Sequence, residues 1–400
     1  MPSLQQRRLA LFAFFFLPGI AMASWVTRTP AIRDRIDASI AEMGLVLLGL
    51  SVGSMTGILF SGFAVGRFGT KTVIHAGTWA VATGVALMAT GTLTGQAAIV
   101  ALGLGSFGLG MGFAEIAVNI DGAMVERASG KPLMHALHGC FSFGTVLGAL
   151  AGFAANALAV PVEAHLAAVV VLIAPSTLYF IRHIPEGTAR NDAAQTSEVR
   201  GDSEDAPWRD PRLLAIALIV LATALAEGAA NDWLPILMVD EHDFSKTTGS
   251  LIFLVFATAM TIGRFSGGYF LERFGRSAVI RTSAIFGALG LAGVIFSHHP
   301  VLAGASVLLW GLGASLGFPV AISAAGDSGV NSAERVKIVT IGGYVAFLVG
   351  PPLLGLIGEH YGLRNAMLVV LTLLFCAIAA APAVRPRVAA NAEETSRTPA

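Results

Sequence analysis

A carboxylic acid stands in one of the most apolar stretches of this sequence. The segment FAEIAVNID, residues 113–121, carries Glu115, Asn119 and Asp121 among Ala, Val and Ile neighbours. Glu115 and Asn119 are four residues apart, so they share one face of a helix. A carboxylate in apolar surroundings can gain and lose a proton during a cycle. We interpret the pair as a proton and substrate coupling site; the alternative is a structural hydrogen bond between helices.

A second cluster of similar composition occurs in ALAEGAANDWLP, residues 224–235. Glu227 and Asn231 again share a helical face, whereas Asp232 lies closer to the end of the apolar stretch. We predict that Glu227 and Asn231 form a second coupling site. The alternative is that Glu227 neutralises a basic residue, and Arg264 is the first candidate for that partner.

The remaining polar residues of apolar segments are candidates for proton relay or gating, and Asp232 and Arg264 belong to this group. Asp121 and His138 lie at similar depth if their segments form a helical hairpin. Such a pair either relays protons, for which histidine is suited, or only fixes the hairpin. Arg28 ends the first apolar segment, where it either guides anionic groups at a cavity mouth or marks the membrane interface.

Aromatic side chains are candidates for stacking on a ring-shaped substrate. The candidates are Phe113, Trp310, Phe318 and Tyr344. Trp310 is the strongest cavity candidate because it lies in the middle of its apolar stretch. Aromatic residues near the ends of such stretches are commonly interface anchors.

Membrane-spanning helices must position these residues. The chain has 400 residues, 46 of them glycine, and only 12% are charged, whereas soluble domains carry about 25% charged residues. Apolar stretches of about 20 residues span a bilayer as helices, and we predict twelve of them. They lie at 9–27, 42–66, 71–92, 97–125, 134–158, 164–184, 211–238, 245–272, 277–296, 300–326, 333–357 and 363–384. The predicted fold class is an all-α polytopic membrane protein.

A polar stretch divides the spans into two sets of six. Residues 185–210 are too rich in Gly, Ser and Asp to bury a core, and we predict a linker there. The predicted units are an N-terminal six-helix bundle, 1–184, and a C-terminal one, 211–385. Residues 386–400 are predicted to be a disordered tail for the same compositional reason.

The Lys and Arg residues are concentrated in the loops on the side that holds both termini. This bias predicts that both termini are cytoplasmic. The start of the chain, a basic segment followed by an apolar one, also looks like a signal peptide. We predict an uncleaved first span, because its removal would leave an odd number of helices with a reversed charge bias.

The two halves repeat each other. GFAVGRFGTKTVI at 62–74 matches GYFLERFGRSAVI at 268–280, and both lie between the second and third spans of their half. Repeated six-helix halves are typical of transporters with a site between the halves. The segments resemble the loop signature of the major facilitator superfamily, G-x-x-x-D-R-x-G-R-K. The matching residues are Gly62, Arg67, Gly69 and Lys71 in the first copy, and Gly268, Glu272, Arg273, Gly275 and Arg276 in the second.

The resemblance implies the twelve-helix fold of that superfamily and transport by alternating access. In the family, the acid of this motif holds the end of a neighbouring helix in one conformational state. The first copy has Gly66 at that position, so the resemblance does not extend to this contact in the first half. MASWVTRTPAIRD, AEGAANDWLP and WGLGASLGFP resemble a group of bacterial inner-membrane transporters. Glu115 and Asn119 are similar to a motif of fucose-permease-type sugar–proton symporters, in which the matching Glu takes part in proton coupling and sugar binding. Those symporters also have an acid in span one, which this chain lacks.

We therefore expect a proton-coupled symporter of a small polar organic solute such as a sugar or related metabolite. The alternative is a proton-antiport exporter of drugs or metabolites, although span five lacks the proline-ending motif usual in such antiporters. The sequence contains neither a phosphate-binding loop nor an H-E-x-x-H motif, so no motif of these kinds indicates an enzyme. Cys140 and Cys376 show no metal-ligand spacing. We expect a monomer in the bacterial inner membrane, with solute, protons and lipid as partners and no cofactor, metal or nucleic acid.

Overall fold

A computed structural model describes residues 2–130, 133–190, 209–327 and 332–385, and these are almost entirely helical. The helices are α1 (Leu4–Val26), α2 (Thr29–Arg35), α3 (Ile40–Phe68), α4 (Thr70–Thr94), α5 (Ala97–Ser129), α6 (Met134–Ala157), α7 (Val162–Phe180), α8 (Pro211–His242), α9 (Lys246–Phe296), α10 (Pro300–Ala314), α11 (Gly317–Gly326), α12 (Ser332–Tyr361) and α13 (Leu363–Ala380). Short 3₁₀ turns at Ile181–His183 and Ala381–Val384 follow α7 and α13. Most of the predicted linker, 191–208, and the whole predicted tail lie outside the described residues.

The described helices account for the twelve predicted spans. Eleven helical segments are long and apolar enough to cross a membrane. The longest is α9, whose 51 residues would measure about 77 Å, more than twice the thickness of a bilayer core. It breaks at Gly275, where φ is 76° and ψ is 165°, a backbone conformation that glycine adopts without steric cost. The break divides α9 into two spans, and the predicted fold class is confirmed.

Glycines bring the helices of the first half, α1 to α7, into backbone contact. A Cβ atom added to Gly53 of α3 would lie 2.0 Å from the carbonyl oxygen of Gly105 on α5. One added to Gly108 would lie 2.2 Å from the carbonyl oxygen of Leu50. Lipid tails are as apolar as the helices, so close packing through small residues must hold the bundle together.

The two halves meet along α3 with α12 and along α6 with α9. We call the end of the molecule opposite the two termini the outer end. There, Arg33 of α2 makes a bidentate ion pair with Asp240 of α8, and Lys246 pairs with Asp34 at 2.5 Å. Burial by itself would lower the pKa of Arg33, but the hydrogen bonds and charge of Asp240 raise that pKa above its ordinary value.

Further hydrogen bonds between the halves reinforce these outer ion pairs. The hydroxyl of Ser250 on α9 donates to the carbonyl oxygen of Thr27 at 3.0 Å, and Asn156 of α6 donates to the Ser250 hydroxyl. The amide of Ala41 donates to the carboxylate of Glu359 on α12 at 3.0 Å. The described hydrogen bonds and ion pairs between the halves lie at this end or at mid-depth, so the interface is closed at the outer end.

The contact between Gly53 and Gly105 predicts a position-specific effect on stability. We expect Gly53→Ala to lower the midpoint of thermal unfolding in detergent, because overpacking of this kind costs about 1–3 kcal/mol. Gly62→Ala on the same helix is the control, since no described atom lies within 4 Å of a Cβ added there. Equal shifts in the two variants would show that α3 and α5 do not pack at this distance.

Candidate functional site

A charged cluster lies at the interface of the halves, centred on Arg264 of α9. The Nη2 atom of Arg264 donates to Oε1 of Glu227 on α8 at 2.8 Å. Its Nη1 atom donates to the hydroxyl of Ser142 on α6, in the other half, at 3.4 Å. Glu115 of α5 also interacts electrostatically with Arg264. One guanidinium is therefore attracted to a carboxylate from each half.

Helix length places this cluster near the middle of the membrane. Glu227 lies 16 residues after the start of α8 at Pro211, which corresponds to about 24 Å of helix. Glu115 and Arg264 each lie 18 residues after the start of their helices, or about 27 Å. A charge at this depth is costly and is normally paired or turned towards a water-filled cavity. The Glu227–Arg264 pair that the sequence suggested is present.

Predicted coupling, relay and cavity residues lie in or near the cluster. Glu115 is exposed, and Tyr344 of α12 lies close enough to interact with its charge. The side-chain oxygen of Asn119 is buried and has no hydrogen-bond partner among the described residues. His138 of α6 is exposed and interacts electrostatically with Arg264. Because Glu115 is exposed while facing the opposite half, a cleft remains between the halves at this level.

The structure corrects the predicted pairing of Asp121 with His138. The Asp121 carboxylate is fully buried and accepts hydrogen bonds from Nε and Nη2 of Arg7 at 2.8 and 2.6 Å. The hydroxyl of Thr70 donates to the same carboxylate at 3.1 Å. His138 instead packs edge-on against Phe15, with ring centroids 5.0 Å apart. The guanidinium fork of Arg7 matches both carboxylate oxygens, so Asp121 ties α1, α4 and α5 together.

Asp232 of α8 differs from the other acids of the predicted site. It is only 6% exposed, and within the described parts of the chain it forms neither a hydrogen bond nor an ion pair. Asn231, next to it, is half-buried. A buried carboxylate without a partner is costly when charged, and its predicted role in relay or gating stays a prediction.

Arg28 does not stand at a cavity mouth, as one reading of the sequence suggested. It is 3% exposed, and its Nη2 atom donates to the carbonyl oxygen of Val160 at 2.5 Å. Burial lowers its pKa, against the opposing charge of Glu163. Arg28 therefore lies inside the outer end of the first half, between α1 and α7.

The aromatic candidates separate into core and cavity residues. Trp310 is fully buried, its indole N–H donates to the carbonyl oxygen of Ala226 at 3.1 Å, and its ring packs edge-on against Phe256. Its predicted position in the cavity is therefore wrong. Phe113 and Phe318 pack partly buried against the hydrophobic cores of their own halves. Tyr344 is the aromatic candidate that lies near the charged cluster.

The two loop motifs share a backbone break and a contact between an arginine and a phenylalanine ring. Gly69 has φ of 81°, close to the 76° of Gly275, so the same backbone break occurs inside both copies. Arg67 and Arg273 lie over the rings of their neighbouring phenylalanines, at 5.9 and 5.7 Å. Glu272 is exposed and makes no ion pair within the described residues. Among the remaining motif residues, Gly62 lies in α3 and Lys71 in α4, whereas Gly268 and Arg276 lie before and after the break in α9.

Comparison with known proteins identifies the family. A family model described as Major Facilitator Superfamily matches residues 9–333 and 216–400. An uncharacterized MFS-type transporter of Yersinia pestis is 31% identical over 377 residues, which is 92% of this chain and 94% of that protein. The chain belongs to the major facilitator superfamily. It is therefore a multi-pass membrane transporter of the bacterial MFS type.

Solved MFS structures share the fold. The crystal structure of a mutant of the nucleoside transporter NupG has a TM-score of 0.76 and 15% identity, and the match covers 94% of this chain and 99% of that one. The crystal structure of an Escherichia coli fucose:proton symporter variant has a TM-score of 0.64 and 16% identity, with 94% and 98% covered. At these identities the likeness concerns the fold alone.

The Arg7–Asp121 pair of this MFS transporter predicts a strong, non-additive effect on stability. Arg7→Gln is expected to lower the free energy of unfolding by about 3–5 kcal/mol, because it leaves a buried carboxylate without its cation. Arg7→Gln combined with Asp121→Asn should be more stable than Arg7→Gln, and a double-mutant cycle by unfolding in detergent measures the coupling.

Arg8→Gln is the matched control for this cycle, because Arg8 makes no hydrogen bond or ion pair with a described residue. It removes the same charge from the same end of α1 and should leave stability within error of the wild type. Additive effects of the Arg7 and Asp121 substitutions would contradict a direct pair.

Proposed function

We propose that this transporter is a proton-coupled symporter of a small, neutral, polar organic solute such as a sugar or related metabolite. The observation that carries the proposal is the cluster at the interface, in which Arg264 of the second half faces Glu115 of the first half and Glu227 of its own. An ionisable group at membrane depth is by default a candidate for a proton or substrate pathway. Glu115 is the proton-coupling residue in this account.

Protonation of Glu115 changes the forces between the halves. When Glu115 is charged, it attracts Arg264 across the interface, whereas Glu227 holds Arg264 within its own half in either state. A proton on Glu115 removes the attraction that crosses the interface. A ligand shifts a conformational equilibrium by its difference in affinity for the two states, so the proton shifts the balance between the outer-closed conformation and its outer-open counterpart.

The groups around the cluster suit hydroxyl groups of a neutral solute. Asn119 has a free oxygen acceptor among the described residues, and Tyr344, Ser142 and Glu115 offer further donors and acceptors nearby. The positive charge of Arg264 is already compensated by carboxylates, so the site does not require a charged solute to neutralise it. The nucleoside and fucose transporters that share the fold are named for hydroxyl-bearing solutes, which supports this assignment.

Four further assignments complete the proposal. Asn231 binds solute from the Glu227 face of α8, and Asp232 acts as a second proton site in the outer half of that helix. Both termini lie in the cytoplasm in this proposal, which the concentration of Lys and Arg residues on their side supports. The transporter works as a monomer in the bacterial inner membrane, because each chain carries both halves of the alternating-access unit.

Glu115→Gln is expected to separate solute movement from proton movement. Wild-type protein in liposomes should accumulate a solute from a panel of neutral sugars and nucleosides when the lumen is more alkaline than the medium. The variant should still exchange labelled for unlabelled solute but should lose accumulation driven by the pH gradient. Both activities are measured as radiolabelled uptake across a series of external pH values.

Glu334→Gln is the matched control, because Glu334 is exposed at the end of the molecule that carries the termini. Accumulation by Glu115→Gln with the pH dependence of the wild type would show that Glu115 is structural. Solute that leaves the liposomes as protons enter would favour the antiport alternative over symport.

A further inference from the structure

A cavity lined by arginines lies in the second half, apart from the transport site. It is at the end of the molecule that carries the termini, which we call the inner end. Its volume is about 290 Å³. The lining residues are Phe274, Gly275, Arg276, Ser277, Ala278, Arg281 and Arg385. Three of these side chains are cationic and none is acidic. Residues 275–278 also line the cavity and begin the helix that restarts after the break, and the amides at a helix start carry positive partial charge.

The internal repeat shows what occupies the matching place in the first half. There, the break falls at Gly69, and the amide of Thr70 donates to the carbonyl oxygen of Thr188 at 3.0 Å. The ammonium of Lys71 pairs with the carboxylate of Glu186 at 3.0 Å. The chain that follows α7 therefore supplies a carbonyl oxygen and an anion to the start of α4.

In the second half, the described residues after α13 supply no such anion. In both halves a 3₁₀ turn follows the last helix, but the next residues read Pro-Glu-Gly at 185–187 and Arg-Pro-Arg at 385–387. In the sequence, the position that corresponds to Glu186 is thus flanked by two arginines. Arg276 pairs with Asp327, whereas the exposed Arg281 and Arg385 side chains form no ion pair with a described residue.

Apolar surface continues from the cavity along the helix. Phe274 lines the cavity and is 57% exposed, and Phe270, one turn earlier, is 42% exposed. Their rings are stacked with centroids 6.3 Å apart. An occupant that fits both surfaces has an anionic group beside apolar chains. Basic pockets at the ends of transmembrane helices bind anionic lipid head groups in this way.

We propose that this cavity binds the phosphate of an anionic phospholipid from the leaflet on the side of the termini. Arg281, Arg385 and the amides after Gly275 hold the phosphate, and the acyl chains lie along Phe274 and Phe270. The site is independent of the solute and of proton coupling. It provides from the membrane the anion that Glu186 provides in the first half.

The test measures binding of phosphatidylglycerol and phosphatidylcholine to the full-length protein by native mass spectrometry from a neutral detergent. The wild type should bind phosphatidylglycerol in preference to phosphatidylcholine. Arg281→Gln combined with Arg385→Gln should lower the apparent affinity for phosphatidylglycerol about tenfold, since each basic residue near the surface contributes to anionic lipid binding. Arg385→Gln alone should give an intermediate loss and guards against misfolding of the double variant.

The matched control removes the same charge elsewhere on the same side of the protein, with Arg127→Gln and Arg190→Gln. An equal loss in this control would overturn the proposal, because attraction would then be general. Competition by inorganic phosphate at the concentration of the lipid would also overturn it, since a free anion would then be the ligand. Removal of residues 388–400, which contain Glu393 and Glu394 and leave Arg387 in place, should leave the affinity unchanged. A tenfold gain on removal would show that the tail fills the cavity.

Discussion

The cost of placing a guanidinium at the middle of a membrane is the constraint on which the interface of this transporter depends. Arg264 is held by Glu227 of its own half and attracted by Glu115 of the other. Uncompensated, such a charge would oppose insertion of α9. The Glu115 carboxylate lies across the interface from Arg264. In our account, the protonation state of Glu115 therefore affects both the stability of α9 and the packing of the two halves.

Internal contacts join the helices of the first half. In the first half, Asp121 joins α1, α4 and α5 through Arg7 and Thr70, and glycines bring α3 and α5 into backbone contact. The hydrogen bonds and ion pairs that join described residues of the two halves are placed differently. They lie at mid-depth and at the outer end, where Arg33 and Asp240 pair. Rocking of rigid halves about the central site would break the outer ties and open that end.

The sequence predicts the features that depend on length and repetition better than those that depend on helix rotation. Twelve spans follow from apolar stretches of sufficient length, and the Glu227–Arg264 pair joins two consecutive helices. Asp121 finds its partner 114 residues earlier in the chain, which no local pattern indicates. The cavity position of Trp310 and the cavity-mouth reading of Arg28 were wrong for a related reason. When all faces of a helix are apolar, hydropathy does not reveal which face meets the core and which meets a cavity.

The central claim is that the charge of Glu115 sets the balance between two arrangements of the halves. Spin labels on cysteines at Gln96 and His298 report the outer end, and labels at Ala128 and Lys337 report the inner end, in a background without native cysteines. Double electron–electron resonance spectroscopy should show that the distance between the outer labels lengthens, and that the distance between the inner labels shortens, when the pH is lowered from 8 to 5. Glu115→Gln should have the low-pH distances at both pH values. Distances that still change with pH in Glu115→Gln, or that change in the same direction at both ends, would contradict the account.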